Sequence, residues 1–213
     1  SSSAVTVACV HALAKAFSKT VNKKDIFSLA YSSVLDVQGV GSGFDVASAV
    51  YGGTMVYEKP GTRIEPLQNS ADFVIGYTGV KADTVSLVKE VAKKYEAYTE
   101  RMDRIFEAIG TLVEQAKTAW DKGDWETVGK FMNFNQEYLR DLGVSTQKLE
   151  DLIASAKKAG AYGAKLSGAG GGDCMIALVS AETKNAVVDA ITDAGGEVLP
   201  VGVHARGVFY TGG

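Results

Sequence analysis

The sequence predicts an α+β fold in which helices pack against an antiparallel sheet. Apolar residues recur at helical spacing over several long stretches, and short apolar runs between glycine-rich turns indicate strands. In the second part of the chain, the expected order is one strand, several helices, two strands, a helix and two strands. That order is typical of helices on one face of an antiparallel sheet, so we expect a ferredoxin-like two-layer sandwich there.

The first part of the chain is expected to be mainly helical. A serine-rich start followed by apolar residues at helical spacing predicts the first helix, and two glycines end the third. We predict helices over residues 4–18, 24–37 and 46–51, and a strand over residues 54–58.

Residues 68–71 are the expected boundary, because this polar stretch separates two differently patterned parts, 1–70 and 71–213. Beyond it, β-like runs flank long segments rich in helix-forming residues. The expected elements are strand 72–78, helices 84–122, 124–142 and 145–159, strands 161–166 and 174–179, helix 182–194, and strands 197–203 and 207–211.

Composition excludes several classes of protein. The 213 residues are 46% hydrophobic and 22% charged, which is typical of an ordinary globular protein. The net charge of −3 provides no basic field for nucleic acid, and no apolar run reaches the length of a membrane span. The two cysteines, Cys9 and Cys174, lack zinc-binding spacing and lie among apolar neighbours, so we expect buried thiols and a cytoplasmic location.

The run Lys165–Cys174, with sequence KLSGAGGGDC, carries the strongest functional signal. Its five consecutive small residues leave the backbone without side chains that would keep an anion away. Successive N–H groups in such a segment can form a concave anion-binding nest, although a flexible surface turn is the plainer alternative. The sequence therefore predicts a phosphate-binding loop between two strands.

A second glycine-rich segment, Gly39–Asp45, lies before the short third helix. Asp45 ends this glycine-rich segment, next to the bulky Phe44, and is a candidate functional residue. Its residue type and position fit a helix N-cap equally well, so both interpretations stay open on the residues alone.

Three segments in this order resemble the GHMP kinases, the family of galactokinase, homoserine kinase, mevalonate kinase and phosphomevalonate kinase. Ser1–Val7 resembles the second half of the family's ATP loop, Gly39–Asp45 its aspartate motif, and Lys165–Cys174 its third motif. The segment GSGFDV and the run GAGGGDC resemble phosphomevalonate kinases, whereas DVQG and VIGYTG resemble archaeal-type mevalonate kinases.

The resemblance implies roles near the start of the chain. It places Asp45 where it orients or deprotonates the substrate hydroxyl, and Ser2 as a ligand of Mg²⁺ with Ser1 and Ser3 near the phosphates of ATP. Asp36 is a further candidate metal ligand. The alternatives are helix capping for the serines and an exposed helical carboxylate for Asp36.

The resemblance also implies that the late glycine run binds phosphate through its backbone. The expected cofactor-binding residues there are Gly168, Ala169, Gly170, Gly171 and Gly172. The expected substrate-binding residues are Ser42, Gly43, Thr84 and Ser167, although an ordinary helix start explains Thr84 as well. Lys165 could contact phosphate or face solvent. We expect Asp45 and the glycine run to line one anionic pocket.

The implied function is ATP- and Mg²⁺-dependent phosphorylation of a mevalonate-pathway alcohol, with the motifs favouring 5-phosphomevalonate over mevalonate. Family members place a lysine and several strands before the ATP loop, and this chain has none of them. We therefore expect residues 1–70 to be a truncated remnant of the N-terminal domain. We also expect the whole chain to be a fragment that is inactive on its own. The chain could form a homodimer or associate with a missing N-terminal segment. A non-catalytic binding module, or a kinase for a sugar or homoserine, remains an alternative.

Overall fold

A computed structural model describes residues 2–39, 41–202 and 205–210. The chain divides into two compact units, one from the described residues of Ser1–Ser70 and Gly202–Gly213, the other from Ala71–Val201. Each unit has its own hydrophobic core. The predicted combination of helices and antiparallel sheet is confirmed.

Unit 1 consists of three helices and a hairpin. Its elements are α1 (Ser2–Ala16), α2 (Lys23–Gln38), α3 (Phe44–Tyr51), β1 (Met55–Glu58) and β2 (Arg63–Pro66). The three predicted helices are present, and Arg63–Pro66, for which no strand was predicted, is the second strand of the hairpin. A capping box at Asn22 starts α2, because the side chains of Asn22 and Asp25 each accept the other residue's backbone N–H.

The segment after Val201 pairs with unit 1. Arg206 forms an antiparallel bridge with Gly52, and the N–H of Val208 donates to the carbonyl of Ala49 at 2.9 Å. The predicted strand 207–211 is wrong over residues 207–210, because pairing there stops after this single bridge, and Thr211 lies outside the described residues.

The cysteine prediction needs correction. Cys9 is exposed on α1, and Cys174 is only partly buried. The apolar neighbours of Cys9 in sequence misled the prediction because α1 is apolar around most of its circumference, so sequence neighbours do not indicate burial. Among the described residues, every helix is too short or too polar to cross a membrane.

Unit 2 contains four strands and five helices among its described residues. Its elements are β3 (Asp72–Tyr77), α4 (Thr84–Ala97), α5 (Thr99–Asp121), α6 (Trp125–Leu142), α7 (Gln147–Lys158), β4 (Gly163–Ser167), β5 (Cys174–Val179), α8 (Lys184–Asp193) and β6 (Glu197–Leu199). The single helix predicted over 84–122 is broken at Tyr98. The predicted strand 197–203 ends at Leu199 over its described residues.

The sheet of unit 2 has the order β4-β5-β3-β6, with every neighbouring pair antiparallel. Numbered within the unit, that order is 4-1-3-2 read from β6, and it matches the ferredoxin-like arrangement of the prediction. In the β4–β5 hairpin, Ser167 pairs with Cys174, so residues 168–173 form the connecting loop. The glycine run is therefore a hairpin loop at the end of an edge strand.

One face of this sheet packs on the helices that form the core of unit 2. Leu149 and Leu152 of α7, Leu166 of β4, Met175 of β5 and Ile191 of α8 are all at most 1% exposed. Because both strands of the hairpin contribute to this core, the ends of the glycine loop are held by buried side chains.

Helix α6 covers the open edge of β4 at backbone contact distance. A Cβ added at Gly163 would lie 2.1 Å from the carbonyl oxygen of Gly129, so side chains larger than hydrogen do not fit. At this distance Asn133 Oδ1 accepts from the N–H of Ala164 at 3.1 Å, and Gln136 Oε1 accepts from Leu166 at 2.9 Å. The unpaired edge donors are thus satisfied by side-chain amides.

Gln136 also belongs to a polar cluster with Glu150 and Arg140. Its Nε2 donates to Glu150 Oε1 at 2.8 Å, and Arg140 Nη2 donates to Glu150 Oε2 at 2.6 Å. Burial raises the pKa of Glu150, but hydrogen bonds from Arg140, Ser145 and Gln136 lower it more, so the pKa lies below its ordinary value. Glu150 is therefore charged in the folded chain at neutral pH.

Acid should selectively weaken the contribution of Glu150. Because its pKa is lowered below 4.5 on folding, the carboxylate stabilises the fold above that value, and the contribution is lost as pH falls through the folded-state pKa. The unfolding free energy of the unaltered chain should exceed that of Glu150→Gln most at neutral pH, with the difference shrinking in acid. Denaturant titrations across pH measure this, and a difference independent of pH would contradict it.

Candidate functional site

Asp45 lies in the first turn of α3 and is not its N-cap. The N-cap is Gly43, which has no side chain to accept a hydrogen bond from the first turn of the helix and takes φ +85°. The N-cap interpretation of Asp45 is therefore wrong. The exposed carboxylate instead accepts a hydrogen bond on Oδ2 from the hydroxyl of Ser3 in α1.

Ser3 is the buried member of this pair, with 3% of its surface exposed. The contact joins two residues 42 positions apart that the sequence analysis singled out separately. Ser2 is exposed, and its carbonyl accepts from Thr6 Oγ1 at 3.0 Å, as in a regular first helical turn. Ser1 lies outside the described residues. The metal and phosphate roles of these serines stay predictions.

Two tyrosines hold the loop that leads to Asp45. Tyr31 of α2 donates to the carbonyl of Gly41 at 3.0 Å, and Tyr57 of β1 donates to the carbonyl of Ser42 at 2.6 Å. Gly43 is packed against both, since an added Cβ would lie 2.6 Å from the Tyr57 hydroxyl oxygen. The candidate substrate residues Ser42 and Gly43 thus belong to a fixed turn.

The electrostatics keep Tyr57 a donor. Burial raises its pKa, and negative charge on Tyr31 or Asp45 raises that pKa further. The phenol is therefore protonated at neutral pH and keeps its hydrogen bond to Ser42. The role of these two tyrosines was not predicted from the sequence. For Tyr57, the alternation of β1 was a usable signal, because it places Tyr57 and Met55 on one face of the strand.

Asp36, the second candidate metal ligand, is exposed near the end of α2. Among the described residues, histidine, cysteine and acidic side chains form no group of three that could hold a metal. A Mg²⁺ bound mainly by phosphate oxygens and water, with one or two protein ligands, fits such a donor set. The role of Asp36 stays a prediction.

The glycine loop of unit 2 has a backbone that other residues could not readily adopt. Four of its glycines have positive φ: Gly168 at +83°, Gly170 at +85°, Gly171 at +74° and Gly172 at +148°. Asp173 follows at φ +52°. Positive φ values at Gly168 and Gly170 flank Ala169, and such alternation is what an anion nest requires, whereas residues 170–173 all take positive φ.

Two backbone contacts anchor this loop inside unit 2. The N–H of Gly171 donates to the carbonyl of Val144 at 2.7 Å, and the N–H of Asp173 donates to the carbonyl of Val80 at 2.8 Å. Within the described part of the chain, the N–H groups of residues 168, 169, 170 and 172 find no acceptor. Those four donors are available to an anion.

Lys165 does not extend to solvent as one of the two expectations had it. Its Nζ folds back and donates to the carbonyl of Leu166 at 2.6 Å, on the outer edge of β4. Burial lowers the pKa of this lysine to about 8. Together with Gln136, it satisfies the backbone of the last inner residue before the loop.

Thr84 is the first residue of α4 and is exposed. The helix start beside it is complete without a ligand, because Asp83 accepts from the N–H of Ser86 at 3.1 Å and from its hydroxyl at 2.7 Å. Ser167 is the last residue of β4 and is partly buried next to the loop. Substrate contacts of Thr84 and Ser167 stay predictions.

Two family models match this chain. Residues 1–53 match the model described as GHMP kinases N terminal domain, and residues 112–197 match the one described as GHMP kinases C terminal. Together they cover more than half of the chain and include Ser3, Asp45 and the glycine loop.

Curated relatives are similar over almost all of the chain. The mevalonate kinases of Pyrococcus furiosus and Thermococcus sibiricus are 39% and 37% identical to it over 213 residues, 98% of this chain in both cases. The chain spans 63% of the length of each.

Solved structures share the fold. The crystal structure of L. major mevalonate kinase in complex with R-mevalonate has a TM-score of 0.77 and 29% identity, covering 89% of this chain and 61% of that one. A Streptococcus pneumoniae phosphomevalonate kinase in complex with phosphomevalonate and AMPPNP has a TM-score of 0.78, covering 91% and 65%. At 22% identity, the latter similarity shows the fold alone.

Alanine at Gly43 should destabilise unit 1 more than alanine at Gly39. Both glycines have positive φ, +85° and +73°, so each substitution costs about 1–2 kcal/mol of backbone strain. Only at Gly43 does the added Cβ meet Tyr57 and Tyr31; at Gly39 nothing lies within 4 Å. We expect a further loss of about 1–3 kcal/mol for Gly43→Ala by denaturant titration. Equal losses would mean that the tyrosine contacts leave room for a side chain.

Proposed function

This chain belongs to the GHMP kinase family, and from that premise we propose that the protein transfers the γ-phosphoryl group of ATP to the hydroxyl of mevalonate. The observation that carries the proposal is the hydrogen bond from Ser3 to Asp45. It joins the segment that resembles the ATP loop to the segment that resembles the aspartate motif. A surface helix start and an unrelated surface carboxylate would have no reason to meet.

The choice of acceptor departs from our expectation from the sequence motifs, which favoured 5-phosphomevalonate. The curated relatives at 37–39% identity are mevalonate kinases, whereas the phosphomevalonate kinase structure is only 22% identical. Because one fold serves many acceptors, sequence closeness is the better guide to substrate here. We therefore place mevalonate first and 5-phosphomevalonate second.

Unit 1 supplies the group that acts on the acceptor hydroxyl. The Asp45 carboxylate is exposed, and one of its oxygens is occupied by Ser3. The other oxygen is free to orient the hydroxyl or accept its proton during attack on phosphorus. Phosphoryl transfer requires little more covalent participation from a protein than this.

Unit 2 supplies the electrostatic part. The four available N–H donors of the glycine loop point partial positive charge at an anion without needing to reorganise during the reaction. Backbone donors of this kind bind phosphate oxygens in many nucleotide sites. In the proposal they hold the phosphates of ATP, with Ser167 as an additional donor at the start of the loop.

When bound, Mg²⁺ would supply positive charge that neutralises the charge developing on the phosphates. Ser2, at the start of α1, is the protein ligand we assign to it, with Asp36 as the second candidate. The exposed position of both side chains fits a metal that keeps several waters.

Other expectations about the protein also remain proposals. Val5 and Leu13 of α1, and Phe17 directly after this helix, are 58–71% exposed. These exposed apolar side chains support association with a further segment or a second copy. The same observation favours the alternative of a non-catalytic assembly module. We place the protein in the cytoplasm, where the exposed thiol of Cys9 would stay reduced. Inactivity of this chain alone, and one pocket shared by Asp45 and the glycine loop, stay predictions.

Asp45→Asn should abolish most turnover in the complete protein. Because asparagine cannot accept the proton and orients the hydroxyl less well, we expect kcat to fall by about 10²–10⁴-fold. Glu58→Gln is the matched control: Glu58 is an exposed carboxylate of the same unit whose partner is Arg63, and kcat should stay within about twofold. Unchanged turnover in Asp45→Asn would favour the assembly module.

A coupled ADP-release assay should rank the acceptors. With the complete protein we expect kcat/KM for mevalonate to exceed that for 5-phosphomevalonate by at least about tenfold, because a site built for one rejects the other's extra charge. Galactose and homoserine serve as controls for other members of the family. A preference for 5-phosphomevalonate would restore the expectation from the motifs and reverse the assignment made here.

A further inference from the structure

Two supports of the glycine loop in unit 2, the end of β4 and the α6–α7 turn that contains its backbone partner Val144, both lead to one buried side chain, Gln136 of α6. We infer that Gln136 is a positioning residue for nucleotide binding: it holds the end of β4 and the α6–α7 turn in the spacing that shapes the loop. The inference rests on the proposed role of the loop in binding the phosphates of ATP.

The first anchor is the end of β4. Gln136 Oε1 accepts from the N–H of Leu166 at 2.9 Å, two residues before Gly168. Gln136 is 2% exposed and Leu166 is 1% exposed, so water does not compete for this bond. The side chain of Gln136 therefore fixes the position of the β4 backbone where the strand leads into the loop.

The second anchor is the turn between α6 and α7. Gln136 Nε2 donates to Ser145 Oγ at 2.9 Å, and Ser145 directly follows Val144, whose carbonyl receives the N–H of Gly171. The fit at Val144 has no slack, since a Cβ added at Gly170 would lie 2.2 Å from that carbonyl oxygen. A shift of the turn would therefore displace the loop.

The amide of Gln136 can take only one orientation. Its two N–H donors are used by Ser145 and Glu150, and its oxygen is used by Leu166. A flipped amide would place its NH₂ against the N–H of Leu166 and its oxygen against the Glu150 carboxylate. Arg140 holds that carboxylate at 2.6 Å from the other side, so the cluster has one arrangement.

Asn133 shows what the same kind of bond does without the second anchor. It lies one turn earlier on α6 and accepts from the N–H of Ala164 at 3.1 Å. Asn133 thus satisfies the same strand edge, but its bond is two residues farther from the loop than that of Gln136. Comparing variants at Asn133 and Gln136 therefore separates the positioning of the loop from the satisfaction of the β4 edge donors.

The test compares Gln136→Met with Asn133→Leu in the complete protein. Loss of the cluster leaves the loop donors poorly aimed, so Gln136→Met should raise KM for ATP by roughly tenfold, with KM for mevalonate within about twofold. Asn133→Leu should leave both KM values within about twofold. A purely structural role would lower the active fraction and kcat in both variants without this KM split.

Three outcomes overturn the inference: an unchanged KM for ATP in Gln136→Met, an equal rise in Asn133→Leu, or an equal rise in KM for mevalonate. If Gln136→Met does not fold, Ser145→Ala removes the link from Gln136 to the turn together with the bond from Ser145 to Glu150, and should raise KM for ATP by about threefold; no rise overturns the inference. Gly171→Ala separates this from the proposed function. If that loop variant leaves KM for ATP unchanged, the phosphate role of the loop fails first.

Discussion

Direct contact between the backbones of helix α6 and strand β4 is the constraint on which unit 2 depends. Gly129 and Gly163 meet where even a methyl group would overlap the opposing carbonyl. Only this approach lets Asn133 and Gln136 reach the N–H groups of the edge strand. An edge that would otherwise offer donors to another chain is closed by side chains, and its end becomes a rigid base for a hairpin loop.

Rigidity of that support matters for the proposed role of the loop, in which it binds phosphate through its backbone. Donors that bind an anion without reorganising must be held beforehand, and glycines cannot hold themselves, since they have no side chains to pack. Support therefore comes from the carbonyls of Val144 and Val80, and from the charged cluster around Glu150 behind Val144. The mobility expected of a glycine run is removed by its neighbours.

Unit 1 holds its glycine-rich loop in place by different contacts. Its loop before α3 is also rich in glycine, and here two tyrosine hydroxyls hold the backbone while their rings limit what fits at Gly43. In the proposed function the reactive group is a side chain, Asp45, so the loop needs only to present the first turn of the helix. Ser3 then occupies one oxygen of the carboxylate.

The sequence by itself determined most of the element types, the ferredoxin-like arrangement of unit 2, and the two glycine-rich loops. Those properties depend on local spacing of apolar residues and on residues with special backbone freedom, which a single chain displays directly. It did not indicate that Cys9 is exposed or that 84–122 breaks at Tyr98, because burial and helix ends depend on what packs against them.

Only the tertiary structure decided which polar side chains support the loops. Tyr57, Gln136 and Glu150 look like ordinary surface or core residues in the sequence, and their partners lie 5 to 30 positions away. Hydrogen bonds over such separations follow from how helices and strands are packed, not from local pattern. The chemistry of the loops could be predicted from composition, whereas their shape depends on contacts that exist only in the folded chain.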